Sequence, residues 1–248
     1  MKKTGFNFWL VLSIVLLSAQ FGFAQMPGGG VNFALNKLFG SASNFTAVAD
    51  VAVFDKAQKE YMRAPMNFAV LNGKVRVDID LGQVKSKELP ASTIVGMKKV
   101  GLDRIASVVR PDKQTMYIIY PLVKSYVNMP MSKEDIEASG HTLKMEKVAM
   151  GKETVASHPS TKNRVTIKDS KGGVALDALT WNASDLKDFP VQIQMKENGN
   201  TTVMRFSQIK FVPPDAKLFE APAGFKLYDD PQTLMLSAAS KNNAPPKK

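Results

Sequence analysis

The run Arg104–Pro130, RIASVVRPDKQTMYIIYPLVKSYVNMP, constrains this chain more than any other stretch. It reads as three short strands joined by two proline-led turns. Ile105–Val109 is the first strand, and Pro111-Asp112 turns the chain because proline arrives with its φ already set for a turn. Thr115–Tyr120 follows, dense in the aromatic and β-branched side chains that suit a pleated, half-buried surface. Pro121-Leu122 turns the chain again, into Lys124–Asn128. A meander of this size leaves backbone edges and an apolar face uncovered. The remaining segments must cover them.

Most of those segments read as more of the same sheet. Phe45–Phe54 alternates, with Phe45, Ala47, Ala49, Val51 and Val53 on one face and Thr46 and Asp50 on the other. Met66–Leu71 and Lys74–Leu81 flank Asn72-Gly73, a dipeptide suited to the two-residue primed turn of a hairpin. In the second arm Val75, Val77, Ile79 and Leu81 alternate with Lys74, Arg76, Asp78 and Asp80, so one face is buried and the other wet. After the meander come His141–Ala149, Glu153–Ala156, Thr161–Lys168, Val174–Asn182, Pro190–Lys196 and Thr201–Phe211. Lys171-Gly172-Gly173 and Asn198-Gly199 mark tight turns among them. About eleven strands in succession, mostly hairpin-connected, make an antiparallel sheet too large to stay flat. The expectation is a mainly β fold with a few helices (α+β), its sheet curled into a barrel or half-barrel.

Four segments carry a helical pattern. Val31–Phe39 places Val31, Leu35, Leu38 and Phe39 on one face and ends at Gly40. Pro90 opens PASTIVGMKKVGL, where Ile94, Val95, Met97 and Val100 fit a helical face that Gly96 weakens. That stretch is either a short helix lying across the sheet as a lid or a surface loop. Ser132–Glu137 reads as a short helix capped by Ser132. Pro231–Ser240 reads as a terminal helix capped by Asp230, followed by a disordered tail, Asn242–Lys248. Lacking partners of their own, the helices are expected on the open side of the sheet, with Leu35, Leu38, Phe39, Ile94 and Met97 as lid residues.

The start of the chain sets the compartment. Two lysines, an apolar run from Phe8 to Leu17 and Gly22-Phe23-Ala24 before Gln25 make a cleavable signal peptide over residues 1–24. The rival, a membrane anchor, needs an apolar run of roughly 20 residues, and this one is about ten. Residues 25–44 then form a linker and the amphipathic helix, 45–229 the sheet domain, and 230–248 the terminal helix and tail. The chain has no cysteine, so no disulfide supports the core after export. Its formal charge of +11 falls to +9 once Lys2 and Lys3 are removed. That excess suits transient attraction to an anionic membrane surface, or simply a solvated lysine-rich face. Export, and the lack of basic blocks interleaved with aromatics, argue against nucleic acid.

A signal peptide, an amphipathic leading helix and a large curled antiparallel sheet resemble the periplasmic lipoprotein-carrier and outer-membrane-receptor superfamily (LolA/LolB-like). LNKLFGSASNFTAVADVAV resembles that superfamily's leading helix running into its first strand. FVPPDAKLFEAPAGFKLYDD resembles its aromatic-x-x-Pro-x-Gly ending, here Phe219, Pro222 and Gly224. RPDKQTMYIIYPLVKSYVNMP and GKETVASHPSTKNRVTIK most resemble an uncharacterised branch of exported half-barrels, and the likeness runs over Val31–Asp230. It implies a periplasmic carrier holding a lipid or acylated, lipoprotein-like ligand. Two departures matter. Without cysteine the chain cannot be a lipidated receptor, and Phe45–Phe54 holds no arginine of the kind that ties the carriers' lid. Similar half-barrels also serve as stress-sensing modules, so an envelope sensor whose groove binds a protein partner stays open beside the carrier.

Catalytic patterns are absent. Two histidines, His141 and His158, with no cysteine give no metal-ligand spacing, and His158 beside Pro159 reads as a loop residue. There is no Gly-x-Ser-x-Gly and no phosphate loop. The expectation is a non-enzymatic, monomeric protein with no cofactor and no metal. Twelve methionines remain after the signal and suit either a cavity that adapts to acyl chains or ordinary gap-filling in a core. Phe68, Val77, Ile79, Met116, Ile118, Trp181, Ile193 and Phe206 are the candidates to line a ligand cavity, although alternation alone does not say which face is concave. Charged residues in place of Val11 and Leu12 should block export; cell fractionation checks this, with the unprocessed chain expected to remain inside.

Overall fold

The computed structural model describes residues 35–133, 136, 143–169, 172–197 and 199–242. The segment read as a signal peptide and linker lies outside them, as do His141, Lys171, Asn198, residues 243–248 and half of the Ser132–Glu137 segment. Thirteen strands form one curled, unclosed sheet. They are β1 (Asn44–Phe54), β2 (Glu60–Leu71), β3 (Lys74–Asp80), β4 (Lys85–Ser86), β5 (Arg104–Arg110), β6 (Thr115–Tyr120) and β7 (Ser125–Pro130). The later strands are β8 (Lys144–Val155), β9 (His158–Lys168), β10 (Val174–Ala183), β11 (Phe189–Glu197), β12 (Asn200–Lys210) and β13 (Lys226–Tyr228). Their spatial order is β13-β7-β6-β5-β3-β2-β1-β12-β11-β10-β9-β8, with β4 added beside β2. Every pair is antiparallel except β13 on β7. Two helices, α1 (Ala91–Lys99) and α2 (Pro231–Asn242), and a helical turn over residues 35–38 accompany the sheet.

The central meander forms as its sequence indicates. Pro111–Lys113 and Pro121–Val123 are single 3-10 turns, closed by Gln114 (φ 52°) and Lys124 (φ 46°) in the left-handed region. Asn72 (φ 48°) and Gly73 (φ 82°) supply the two positive φ angles a primed turn needs. Elsewhere the strands depart from the sequence pattern for identifiable reasons. The two strands expected at His141–Ala149 and Glu153–Ala156 are one, because Gly151 (φ 147°) makes a bulge instead of a break. β2 starts at Glu60, not Met66, and runs through Pro65. β4 ends its pairing at Arg63 and β3 begins at Met66, so Pro65 faces a gap where no ladder partner uses its missing N–H. β4 and β13 are too short to show any alternation.

One face of the sheet holds the main core. The register carries it across the strands: Ala49 opposite Met66 and Phe206, Met66 opposite Ile79, Ile79 opposite Ile105, and Ile193 opposite Met204. Leu35, Leu38 and Phe39 cover this face, with Leu234 and Ala238 of α2. Asp230 caps α2 by accepting from the Thr233 N–H at 2.8 Å, and the helix runs to Asn242, past the expected end at Ser240. α1 forms, but as a rim element. None of its residues is buried, and Met97 packs on the core while Val95 is exposed.

The opposite face has a smaller core of its own: Ala69, Ala106, Val108, Tyr117, Ile119 and Phe219. Phe219 comes from the strap between β12 and β13, which crosses the back of β3 and β5 before β13 joins β7. Arg110, only 3% exposed, pins the strap. It donates to the Phe219 carbonyl at 2.8 Å and pairs with Asp112 (2.8 Å) and Glu220 (2.7 Å). The Arg110 guanidinium holds the Asp112 carboxyl below its ordinary range, and Lys113, then Arg110, does the same to Glu220. Lowered folded-state values mean that this contribution is complete above about pH 5 and is lost as pH falls through them. Arg110→Met should cost about 1–3 kcal/mol by leaving the Phe219 carbonyl unpaired. Urea titrations at neutral and acid pH should show a shallower acid loss in this variant than in the parent.

Candidate functional site

The site is built where the helical turn over residues 35–38 meets the inner face. Phe39 lies 4.9 Å from Phe45, 5.6 Å from Phe189 and 5.5 Å from Phe206 between ring centroids. Phe68 and Phe211 extend the group through Phe206 and Phe189. Edge-on and tilted rings of this kind add to what burial alone contributes. Of the eight residues proposed as lining, Phe68, Val77, Ile79, Met116, Ile118, Ile193 and Phe206 fall by register on this one face. Trp181 falls out of phase with them by register, although it is buried within the same core. Its cross-strand partners are Gln192 and Lys162, and the Lys162 amine stands 5.0 Å over its ring. Among the lid residues, Leu35, Leu38 and Phe39 are buried, whereas Ile94 and Met97 are half-buried on α1.

Beside this aromatic group lies a cavity of about 110 Å³. Leu38, Phe39, Gly40 and Ser41 wall it on the helical side, and Met145, Lys147, Val165, Thr180 and Asn182 on the sheet side, with Lys187 and Asp188 at the rim. None of the eight proposed lining residues borders it; Leu38 and Phe39 do. Its floor is polar and satisfied. Asn182 Oδ1 accepts from Thr180 Oγ1 at 2.7 Å and from Asn163 Nδ2 at 3.0 Å, and all three residues are buried. Asn182 Nδ2 donates to the Asp188 carbonyl at 2.7 Å, which holds the rim. There Lys187 (φ 54°) and Asp188 (φ 61°) are consecutive left-handed residues, a strained conformation kept by this bond and by Asp188 N–H to the Ala183 carbonyl at 3.0 Å. Lys147 crosses the opening to Asp188 at 2.7 Å. Sequence reasoning passed over this group. The available signal was Thr180 and Asn182, two polar residues at successive inward positions of β10.

The site's titratable chemistry is sparse. Tyr120, on the inner face and 1% exposed, has its hydroxyl pushed up to about 12 by burial and stays neutral at any physiological pH. His158 opens β9 and its Nδ1 lies 2.8 Å from Asp185, so it is a paired strand residue and not a free loop histidine. The adjacent Ser184 hydroxyl donates to the Pro159 carbonyl, not to the imidazole, so no nucleophile–base pair forms there. Among the described residues no group of three or more His, Asp or Glu side chains is placed to hold a metal ion. No described helix is long and apolar enough to cross a membrane.

The structure is the open, curled antiparallel sheet that the sequence pattern leads one to expect, with the helical turn over residues 35–38 and α2 on its inner face. No family model matches the chain, and no curated protein matches it. Solved structures similar to it include a LolA superfamily protein from Nitrosomonas europaea, at 13% identity and a TM-score of 0.39, over 80% of this chain and 99% of that one. LprF from Mycobacterium bovis is similar at 12% identity and a TM-score of 0.40, over 79% and 97% of the two chains. MucB in complex with MucA(peri) is similar at 14% identity and a TM-score of 0.37, over 81% of this chain and 62% of that one. The polar floor is testable on its own. Asn182→Leu should destabilise the protein by about 1–3 kcal/mol for each buried partner left unpaired. Adding Thr180→Val should recover part of that loss in chemical denaturation.

Proposed function

We propose that this is a soluble periplasmic carrier that holds a lipid or acylated ligand against the inner face of its half-barrel. The observation that carries the proposal is the apolar cover over β1, β12 and β11, whose margin reaches β8–β10. Its described part is the helical turn over residues 35–38 with Phe39, touching the face through Leu35, Leu38 and Phe39 with a cavity at its margin. An acyl chain could take the place of Leu38 by exchanging one apolar contact for another, which makes entry and release inexpensive. The neutral floor of Thr180 and Asn182, held by a bond from Asn163, offers polar contacts beyond that chain. No catalytic step is assigned to the site, and no cofactor is required by it.

A second reading has its own observation. β8 is the last strand of the sheet; its outer edge pairs with no strand among the described residues, and it exposes Met145, Val148 and Met150. An extended segment of an envelope protein could add to that edge by main-chain bonding. This is the sensor alternative, and crosslinking in cells would reveal it as a stable complex with little lipid.

The carrier is tested by native mass spectrometry of protein purified from its own envelope, with organic extraction of the same sample. A bound mass removed by extraction is expected; a clean apo mass with an empty extract counts against the proposal. Leu38→Ala enlarges the cavity, should cost about 2–5 kcal/mol, and should raise binding of a hydrophobic dye to the folded protein. Unchanged dye binding and lipid content would show that Leu38 covers no ligand space.

A further inference from the structure

Around the turn between β6 and β7 the surface carries apolar side chains without cover and cations without counter-charges. Leu122, within Pro121–Val123, is 51% exposed, and Val95 on α1 and Leu227 on β13 are each 52% exposed. These residues belong to elements that meet. The chain leaving α1 rests on the turn: a Cβ at Gly101 would lie 3.1 Å from Val123 Cγ1 and 3.5 Å from Leu122 Cβ. On the other side β13 begins, its Lys226 N–H donating to the Lys124 carbonyl at 2.9 Å. Lys98, Lys124 and Lys226 are exposed on the same three elements. Val95 and Lys98 stand three apart on α1 and so share its outer face, turned from the Met97 side that packs on the core.

The charge here is one-sided. Lys74, Lys113, Lys147, Lys162 and Lys168 each pair with a carboxylate elsewhere on the protein. Lys98, Lys124 and Lys226 have no carboxylate partner among the described residues, and the Lys226 amine lies 4.4 Å over the Tyr228 ring. The acids nearest in sequence are placed otherwise: Glu88 precedes the far end of α1, Asp229 and Asp230 follow β13, and Asp103 is 6% exposed. Lysines flanking protruding aliphatic side chains match the two layers of a lipid interface, anionic phosphates above an acyl boundary.

We propose that the β6–β7 turn, with the outer face of α1 and the start of β13, is the surface through which this protein docks on an anionic lipid membrane. Leu122, Val95 and Leu227 enter the acyl boundary, while Lys98, Lys124 and Lys226 meet headgroup phosphates. This contact is separate from the cavity and holds whichever ligand the cavity takes.

Flotation with vesicles tests it, using protein purified in its processed form. The protein should bind phosphatidylglycerol–phosphatidylcholine vesicles at low salt, and about tenfold or more weakly with pure phosphatidylcholine vesicles or at high salt. Leu122→Ser combined with Lys124→Glu should weaken binding to the anionic vesicles about tenfold with an unchanged melting temperature, both positions being exposed. Lys152→Glu, at an exposed lysine on β8, should leave binding within about twofold. Equal loss with Lys152→Glu would overturn the proposal in favour of adsorption by net charge. Parental binding by the double variant, or no binding of the parent protein to anionic vesicles, would overturn it as well; the latter result would leave the turn to a protein partner.

Discussion

Contact between Phe39 and the rings of Phe45, Phe189 and Phe206 is the interaction on which the rest of the inner face depends. An unclosed sheet of thirteen strands exposes a broad apolar face unless something covers it. At the β1–β12–β11 region the described cover is the helical turn over residues 35–38 and Phe39. Phe39 fixes the helical turn to strands from opposite ends of the sequence, since β1 is early and β11 and β12 are late. Leu38 is then positioned at the margin, and the cavity follows from where the aromatic packing stops. The site therefore lies at the edge of that packing, and its polar floor keeps the margin from collapsing onto the sheet.

The back of the sheet solves a different problem. A strand edge at β7 needs a partner, and the chain supplies one only after crossing the back face through the strap. Arg110 makes that crossing specific. Its guanidinium satisfies a backbone carbonyl of the strap and two carboxylates at once, in a place that excludes most solvent. A bond network of this kind orients a segment more than it adds stability, because desolvation offsets much of the attraction. With the strap in register, β13 and then α2 reach the β7 edge, and Leu234 and Ala238 return the chain to the inner face.

Much of this sheet was legible because alternation and turn chemistry are local. Thr115–Tyr120 and Asn72-Gly73 needed only their own neighbours to be interpreted. What was lost depends on partners far along the chain. Pro65 looked like a strand boundary, and only the gap between β3 and β4 explains how β2 passes through it. Gly151 looked like a break, and only its bulge opposite Asn163 and Lys162 shows one continuous strand. Trp181 stands opposite Gln192, one position out of step with Thr180 opposite Ile193, yet it is buried within the main core. Arg110 and Asn182 were invisible as organising residues because, beyond the neighbouring Asp112 and Thr180, their partners are Phe219, Glu220, Asn163 and Asp188, which the fold alone brings to them.

The pairing of β1 with β12, which sets Ala49 beside Phe206, has a kinetic consequence. The two halves of the sheet join only through strands separated by most of the chain, and closing so long a loop must precede the contacts that reward it. The meander β5–β6–β7 can form early from local turns, but its edge waits for β13, which lies nearly at the end. A chain threaded through a pore in order would thus stay incompletely folded until almost its last residues emerged, a state compatible with passage and exposed to proteases and self-association. The bulge at Gly151 and the lysines along β8 then take on a temporal role. They disfavour pairing of the outermost strand with further copies of this chain in the interval before the first and last strands meet, without closing that edge to a matching segment.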